Sequence, residues 1–228
     1  MVSKRKYNTL ILLILTVLSF ERSQSQHPSE FHFQRIGLNE GLSQSRIIDI
    51  AQDSVGFLWF ATQDGLNRYD GYEFKVFRHD DTDSTSISSN YVTALLVTNN
   101  GDLLVGTRYG GLNRYGNSQE TFTQYPSRLY GEIDLKAIHI TSLVEDTEGL
   151  IWIATRGNGL FCLEPTNEII SHYHFDPNNP TSLSDNYVRN TALDLEGNLW
   201  IATVNGLNRL SVNHDQFIRY RHDPSEPT

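Results

Sequence analysis

The sequence predicts an all-β fold assembled from four copies of one sheet module. An Asp-x-x-Gly turn followed by Trp and Thr recurs with variation along the chain, and its glycines lie 45, 48 and 48 residues apart, as do its threonines. A period of this length is typical of repeat architectures. Each copy holds four short segments rich in β-branched and aromatic residues, too short for helices. This is the size of one β-propeller blade, whose faces are buried only when neighbouring blades stack against it.

The N-terminal residues predict a signal peptide over residues 1–26. Lys4, Arg5 and Lys6 form a basic start, and Leu10–Phe20 is a nearly continuous apolar run that is too short to span a bilayer comfortably. Residues 23–25 then supply small side chains of the kind that a signal peptidase reads. An uncleaved anchor helix is the alternative, because two charged residues follow the apolar run. Either interpretation places the repeats in the periplasm or elsewhere outside the cytoplasm.

Residues 27–228 are predicted to form a partial propeller. Residues 31–37 match the last strand of a unit, as residues 74–77 do, so we expect an orphan closing strand that pairs with a blade outside this sequence. The chain is accordingly expected to be the N-terminal piece of a longer protein, an incomplete, open arc with apolar faces at both ends. The four blades are assigned to residues 41–85, 86–134, 135–182 and 183–228.

The recurring residues of the turn are interpreted as structural. A short carboxylate at the end of the first strand accepts backbone N–H bonds two residues on, and the glycine supplies the positive φ that the reversal needs. The second repeat departs from this pattern, with Thr98 in place of Asp and Leu104 in place of Trp. In the other three repeats the framework residues are Asp53, Gly56, Trp59, Asp146, Gly149, Trp152, Asp194, Gly197 and Trp200.

The repeats resemble the two-component regulator propeller family, and the resemblance covers about residues 31–228. The family pattern runs from an Asp-x-x-Gly turn through Leu-Trp-Ile-x-Thr and Gly-Leu-x-Arg-Tyr to a His-Asp-Pro turn and a Ser-Leu-Ser lead into the next blade. Departures are Thr98, Leu104, a missing Asp-Pro after Tyr125, and Phe161-Cys162 where Asn-Arg is expected. The closest matches to the pattern are residues 41–45, 65–71, 146–155 and 176–184.

The resemblance implies a function as well as a fold. A complete ring in this family has about seven blades. The family's propellers precede a small β-sandwich, one transmembrane helix and a cytoplasmic output module, most often a histidine kinase and sometimes a diguanylate cyclase. We therefore expect this chain to be the periplasmic sensor part of a two-component protein anchored in the inner membrane and acting through a phosphorelay. Catalysis would then belong to the output module and not to this segment.

Candidate ligand-binding residues lie on the loops between the second and third strands, which break the repeat. Arg108 and Arg156 offer planar donor forks for carboxylate or sulfate, and Tyr109 offers a face on which a sugar can stack. Asn158 and Asn205 offer amide groups for hydroxyls, and Asp64 belongs to the same set. The expected ligand is a glycan or another small molecule, and a homodimer is a possible partner arrangement. Ordinary solvated turn residues remain the alternative interpretation.

Composition excludes some classes of function. With 18 basic and 27 acidic residues the net charge is −9, which argues against nucleic-acid binding. The single cysteine, Cys162, lies in an apolar strand and is expected to be a buried, inert thiol. His172 and His174 share one face of a strand but have no third ligand at a predictable spacing, and His79 and His222 fall in equivalent turns. We therefore predict turn hydrogen bonding and no metal or cofactor.

Two other classes of function stay open at the level of sequence. One is an exported propeller lyase or hydrolase acting on polysaccharide, and the other is a passive interaction scaffold. A sialidase is disfavoured because its Asp-box has one residue between Asp and Gly, whereas this chain has two.

Overall fold

The fold begins with a short 3-10 helix at Leu38–Glu40 and continues with sixteen strands. A computed structural model of the chain describes residues 33–124, 136–164, 169–211 and 216–222. The strands are β1 (Asp49–Gln52), β2 (Leu58–Thr62), β3 (Gly65–Tyr69), β4 (Phe74–Phe77), β5 (Val92–Val97), β6 (Leu103–Thr107), β7 (Leu112–Gly116), β8 (Thr121–Gln124), β9 (Ile140–Glu145), β10 (Ile151–Thr155), β11 (Leu160–Glu164), β12 (Ile169–Tyr173), β13 (Val188–Leu193), β14 (Leu199–Thr203), β15 (Gly206–Leu210) and β16 (Phe217–Tyr220).

Each run of four consecutive strands forms one antiparallel sheet with the strands in chain order. The sheets are β1–β4, β5–β8, β9–β12 and β13–β16, and the described residues contain no α-helix. Because every connection within a sheet joins adjacent antiparallel strands, each repeat folds as one meander. The predicted all-β fold of four four-stranded blades is confirmed. We refer to the four sheets as blades one to four.

The first strand of each blade contacts the first strand of the next, β1 with β5, β5 with β9 and β9 with β13. We call β1, β5, β9 and β13 the inner strands. Thr93 on β5 donates its hydroxyl proton to the carbonyl of Ile140 on β9 at 2.7 Å. One repeat later, Thr141 on β9 donates to the carbonyl of Val188 on β13 at 2.8 Å. The inner strands are therefore joined across blades by a hydrogen bond that repeats with the sequence.

Apolar side chains fill the three junctions between neighbouring blades. Because blades two and three each have a neighbouring sheet on both sides, residues that point to opposite faces of one of their strands enter different junctions. On β10, for example, Trp152 packs towards blade four whereas Ile151 and Ile153 pack towards blade two. The largest fully buried side chains include Trp59, Trp152, Phe161, Leu66, Leu160 and Ile201.

The Asp-x-x-Gly-x-x-Trp unit closes each turn with one carboxylate. The Oδ1 atom of Asp53 accepts the backbone N–H groups of Val55, Gly56 and Phe57 at 3.0 Å each. Its Oδ2 atom accepts the indole N–H of Trp59 at 2.8 Å, and the equivalent bonds from Trp152 and Trp200 measure 2.7 and 2.8 Å. The turn glycines Gly56, Gly101, Gly149 and Gly197 have φ values of 105°, 84°, 82° and 83°.

A buried asparagine on the third strand anchors the lead into its own blade. In blade one the Oδ1 atom of Asn67 accepts the backbone N–H of Ser43 at 2.9 Å, and its amide donates to the Ser43 hydroxyl at 2.8 Å. Asn113 with Ser88 and Asn208 with Ser184 repeat this pair of bonds. Blade three has Phe161 at this position, and its ring stacks on His172 with centroids 4.3 Å apart. The departure from the family pattern thus replaces a polar anchor with an aromatic contact.

Apolar side chains are exposed on the two outer blades. Leu207 on β15 is 38% exposed, although its counterparts Leu66 and Leu160 are 0% exposed. Tyr220 and Ile218 on β16 are 44% and 46% exposed, and Ile50 on β1 is 56% exposed. The arc is therefore open, as expected from the sequence, and the first and fourth blades each leave part of an apolar face in solvent.

The chain divides into two units, Met1–Arg35 and Ile36–Thr228. In the first unit only residues 33–35 are described, so the predicted signal peptide of residues 1–26 lies outside the described residues. The described part of the predicted closing strand, residues 33–37, is not in a strand. Its pairing with a further blade stays a prediction. None of the described segments is a helix long and apolar enough to cross a membrane.

Candidate functional site

The inner ends of the blades bring two sets of loop residues together. Within a blade the inner strand is antiparallel to the second strand, so Val92 pairs with Thr107 and Val188 with Thr203. The residue before the inner strand therefore lies beside the residue after the second strand. The backbone bonds agree, with Arg108 N–H donating to the Tyr91 carbonyl at 2.9 Å. Equivalent bonds join Arg156 to His139 at 2.9 Å and Val204 to Tyr187 at 3.1 Å.

Loops of neighbouring blades are also bonded to one another at this end. The backbone N–H groups of Gly157 and Gly159 in blade three both donate to the carbonyl of Asn186, which leads into blade four. Gly65 in blade one donates in the same way to Asn90, which leads into blade two. These bonds place the second-to-third-strand loops of blades one and three against the start of the next inner strand. We call the resulting set the inner rim: Gln63, Tyr91, Arg108, His139, Arg156, Tyr187 and Val204.

Arginine side chains contact tyrosine rings along the inner rim. The guanidinium of Arg108 lies 4.9 Å from the ring centroid of Tyr91 and 5.0 Å from that of Tyr109. Arg156 lies over the ring of Tyr187 at 5.1 Å. Gln63 donates its amide N–H to the hydroxyl of Tyr91 at 2.9 Å, which ties blade one to the same cluster. Stacking on aromatic rings holds each guanidinium in place while leaving its hydrogen-bond donors available.

His139 directly precedes the inner strand β9, at the junction of blades two and three. Burial lowers the pKa of its imidazole to about 4, and the positive charges of Arg108 and Arg156 contribute to that decrease. The backbone N–H of Arg156 donates to the His139 carbonyl at 2.9 Å, and Thr93 of blade two donates to the carbonyl of the next residue, Ile140, at 2.7 Å. At neutral pH the imidazole is uncharged, so the rim presents two fixed positive charges beside a neutral donor and acceptor.

The predicted ligand-binding residues separate into two groups. Arg108 contacts the ring of Tyr109, the charges of Arg108 and Arg156 both lower the pKa of His139, and Tyr109 is 66% exposed. Asp64 is instead held by the guanidinium of Arg78 through two hydrogen bonds of 2.9 and 3.2 Å, which lower the pKa of its carboxyl group. Its carboxylate is thus committed to a surface ion pair.

The two asparagines have mainly local contacts. The Asn158 carbonyl accepts a hydrogen bond from His172 Nε2 at 2.6 Å, and the Asn158 backbone N–H donates to the Thr155 hydroxyl at 3.2 Å. The amide of Asn205 donates to the carbonyl of Ser184 at 3.4 Å. These bonds stabilise the turns, so the two asparagines stay candidate ligand residues without a contact that joins them to the arginine cluster.

Sequence reasoning missed the rim residues that precede the inner strands. Tyr91, His139 and Tyr187 lie 48 and 48 residues apart, and Arg46 occupies the equivalent place 45 residues before Tyr91. This is the same spacing as that of the turn glycines, so the period itself contained the signal.

Histidine and cysteine side chains make structural contacts. His79 Nδ1 lies 2.8 Å from the Ile87 carbonyl, and its Nε2 lies 2.9 Å from Asp81. His172 and His174 border a cavity of about 230 Å³ between blades three and four, together with Asp176 and Phe217. Across the described ranges no group of three or more potential ligands could hold a metal ion. Burial raises the pKa of the Cys162 thiol to about 12, so the thiol stays protonated at neutral pH.

The radial meanders define a protein of the β-propeller class. Within that class, residues 41–64, 86–109 and 134–157 match the two-component regulator propeller. The match of three segments to this family model confirms the resemblance drawn from the sequence. Each matched segment includes the lead into a blade and its first two strands, so the matched residues contribute to the inner rim.

Proteins similar to this chain include parts of bacterial signalling systems. Over 60 residues, 26% of this chain and 4% of the relative, the chain is 53% identical to Histidine kinase P4 of Formosa agariphila. The extracellular domain assigned to the hybrid two component system BT3049 of B. thetaiotaomicron matches with a TM-score of 0.73 and 27% identity, covering 83% of this chain and 26% of that one. The chain thus spans about a quarter or less of these relatives.

Virginiamycin B lyase from Staphylococcus aureus matches with a TM-score of 0.55 and 14% identity, covering 76% of this chain and 54% of the lyase. At this identity the likeness concerns the fold alone. The enzyme's activity therefore does not bear on the chemistry of this chain.

Proposed function

We propose that this chain is the propeller part of an extracytoplasmic sensor, which binds a glycan or another small ligand and regulates a histidine kinase through a phosphorelay. The observation that carries the proposal is the likeness to an extracellular domain of a hybrid two component system over most of the chain, at 27% identity. The 53% identity to a histidine kinase over 60 residues supports a histidine kinase as the output module. Export by residues 1–26 and anchoring in the inner membrane belong to the proposal.

The inner rim is the proposed ligand site. Its side chains sit on loops at the ends of paired strands, where a rigid scaffold supports residues that are free to vary. The exposed ring of Tyr109 suits stacking against a sugar, and the guanidiniums of Arg108 and Arg156 suit polar substituents. A signal requires that ligand binding favours one of two arrangements of the protein, since equal affinity for both shifts nothing.

A transcriptional reporter tests the sensor function. Cells that carry the complete gene are exposed to a panel of oligosaccharides, and promoter output is measured for the native protein and for Arg108→Gln. We expect one oligosaccharide class to induce the reporter and Arg108→Gln to reduce that response. Arg114→Gln is the matched control, because Arg114 pairs with Asp102 away from the rim at 2.9 Å. A gene product that ends without a kinase or another output module would contradict the proposal.

A further inference from the structure

Arg108 and Arg156 occupy equivalent positions in blades two and three, and the backbone brings them close to one histidine. His139 directly precedes β9, whose first residue, Ile140, accepts the hydroxyl proton of Thr93 from blade two. Blade two approaches Ile140 so closely at Gly106 that an added Cβ would lie 2.6 Å from the Ile140 side chain. Gly106 is two residues before Arg108, so the absence of a side chain there allows the two blades to meet beside the cluster.

The positive charges of this cluster are not neutralised by the protein. Three arginines of the described residues pair with acidic side chains: Arg78 with Asp64, Arg114 with Asp102, and Arg68 with Glu120. Within the part of the chain that the structure describes, no carboxylate lies within ion-pair distance of Arg108 or Arg156. In a chain of net charge −9, two unpaired guanidiniums that act on the same imidazole mark a local site of positive potential.

One donor of the cluster is buried without an acceptor. The Nε atom of Arg108 is inaccessible to solvent and has no hydrogen-bond partner in the structure. Leaving a buried donor unpaired is unfavourable, and more so for a charged group. The Tyr91 and Tyr109 rings lie 4.9 and 5.0 Å from this guanidinium and restrict its motion, so little conformational freedom is lost when a ligand binds its outer nitrogens.

We propose that Arg108, His139 and Arg156 form a subsite for the carboxylate or sulfate group of an acidic sugar. This inference rests on the proposed ligand-sensing function and narrows its ligand from glycans in general to anionic ones. A carboxylate or sulfate supplies several acceptor oxygens to the guanidinium forks, and such charge-assisted bonds are roughly twice as strong as neutral ones. Tyr109 then lies beside the subsite, where its exposed face can stack on the sugar ring.

The imidazole of His139 provides a readout that does not depend on knowing the natural ligand. The complete chain is titrated by NMR while the His139 resonances are followed, first alone and then with sodium sulfate or sodium glucuronate at constant ionic strength. We expect the His139 pKa to rise when an anion occupies the subsite, because negative charge favours the imidazolium form. Arg108→Gln and Arg156→Gln should each raise the pKa of His139 in the unliganded protein, since each removes a positive charge that lowers it.

Binding of the same probes is measured by calorimetry, with glucose as the neutral control. We expect sulfate or glucuronate to bind, glucose to bind no more than weakly, and Arg108→Gln or Arg156→Gln to weaken anion binding at least about tenfold, the equivalent of about 1.4 kcal/mol. Arg114→Gln should leave binding unchanged. Binding of sulfate alone would indicate a sulfated sugar, and binding of glucuronate alone a uronic acid.

Three results would overturn the inference and leave the sensor function standing. The first is that glucose binds as well as glucuronate, and the second is that neither rim variant changes anion binding or the His139 pKa. Absence of an anion effect on His139 at concentrations far above about 1 mM, where even weak sites fill, would also overturn it. The reporter experiment fails or succeeds independently of these measurements, so the two proposals can be told apart.

Discussion

A single aspartate in each of three blades performs two tasks with its two oxygens. In blade four the Oδ1 atom of Asp194 accepts the turn N–H groups of Glu196 and Asn198, and Oδ2 accepts the indole N–H of Trp200. The Asn198 and Trp200 side chains are the main reason that the pKa of Asp194 falls to about 2. In blade two, Thr98 replaces the aspartate and Leu104 replaces the tryptophan. The two replacements are chemically consistent, because without the indole N–H no donor requires a second carboxylate oxygen.

Glycines in the loop of blade three provide a test at the level of one side chain. Gly157 and Gly159 both have positive φ, 105° and 75°, so alanine strains the backbone at either position. At Gly159 the new Cβ would also lie 2.3 Å from the Tyr173 carbonyl oxygen, whereas nothing lies within 4 Å of one at Gly157. We expect Gly157→Ala to cost about 1–2 kcal/mol and Gly159→Ala about 1–3 kcal/mol more, measured by urea unfolding. Equal losses of unfolding free energy in the two variants would show that the β11–β12 hairpin shifts to accommodate the new Cβ at position 159 with little energetic cost.

Between strands, the repeated threonine hydrogen bonds connect the inner ends of the blades. Thr93 and Thr141 occupy equivalent positions, and each donates to the backbone carbonyl of the next inner strand. In blade one the same kind of link is made by Asp49, whose carboxylate accepts the Leu95 N–H at 2.8 Å. Burial raises the pKa of Asp49, against the lowering effect of the bonds that it accepts. Side chain to backbone bonds therefore supplement apolar packing where two blades meet.

Replacing Thr141 with valine tests that connection with little change in shape. Thr141→Val removes the hydroxyl that donates to Val188 and leaves a partly buried carbonyl without this donor, so we expect a loss of about 0.5–1.5 kcal/mol in the free energy of unfolding. Thr123→Val is the control, since Thr123 is exposed on the outer strand β8. Its unfolding free energy should change by no more than about 0.5 kcal/mol. If both variants lose the same amount, valine itself and not the hydrogen bond would be responsible.

Across all four blades, most of the apolar burial lies between sheets and little within them. Three separate clusters of buried residues occupy the three junctions, and each cluster combines side chains from two neighbouring blades. A single blade therefore has no core of its own, as expected for repeats that bury a continuous core only by stacking. The stability of any one blade depends on the neighbour that covers it.

Substitutions of two equivalent leucines measure that dependence, because one lies in a blade that a neighbour covers and the other in a blade whose outer face is exposed. Leu160 in blade three is fully buried against blade four, whereas Leu207 in blade four is 38% exposed. In the 228-residue chain we expect Leu160→Ala to cost about 2–5 kcal/mol and Leu207→Ala less than about 1 kcal/mol, measured by thermal or urea unfolding. An equal cost at the two positions would contradict the open face. Sedimentation would then show whether a second copy of the chain covers it.

The sequence alone was enough to predict the fold class, because the repeat period is visible in the order of the residues. Gly56, Gly101, Gly149 and Gly197 gave the length of the module, and the strand-rich segments between them gave four strands per module. The family resemblance and the burial of Cys162 followed from the same local patterns. The strand bounds also lie within the predicted blade ranges, since turn residues mark where a strand stops.

The composition of the rim came from the tertiary structure. Arg108, His139 and Arg156 are up to 48 residues apart, and nothing local in the sequence shows that one imidazole lies near both guanidiniums. Likewise, Asp64 and Arg108 occupy similar loops, yet only Asp64 is neutralised by a partner. That partner is Arg78, which directly follows β4 of the same blade and bonds the Asp64 carboxylate. Periodicity specifies which backbone groups pair, whereas charge and burial depend on side chains that converge from different blades.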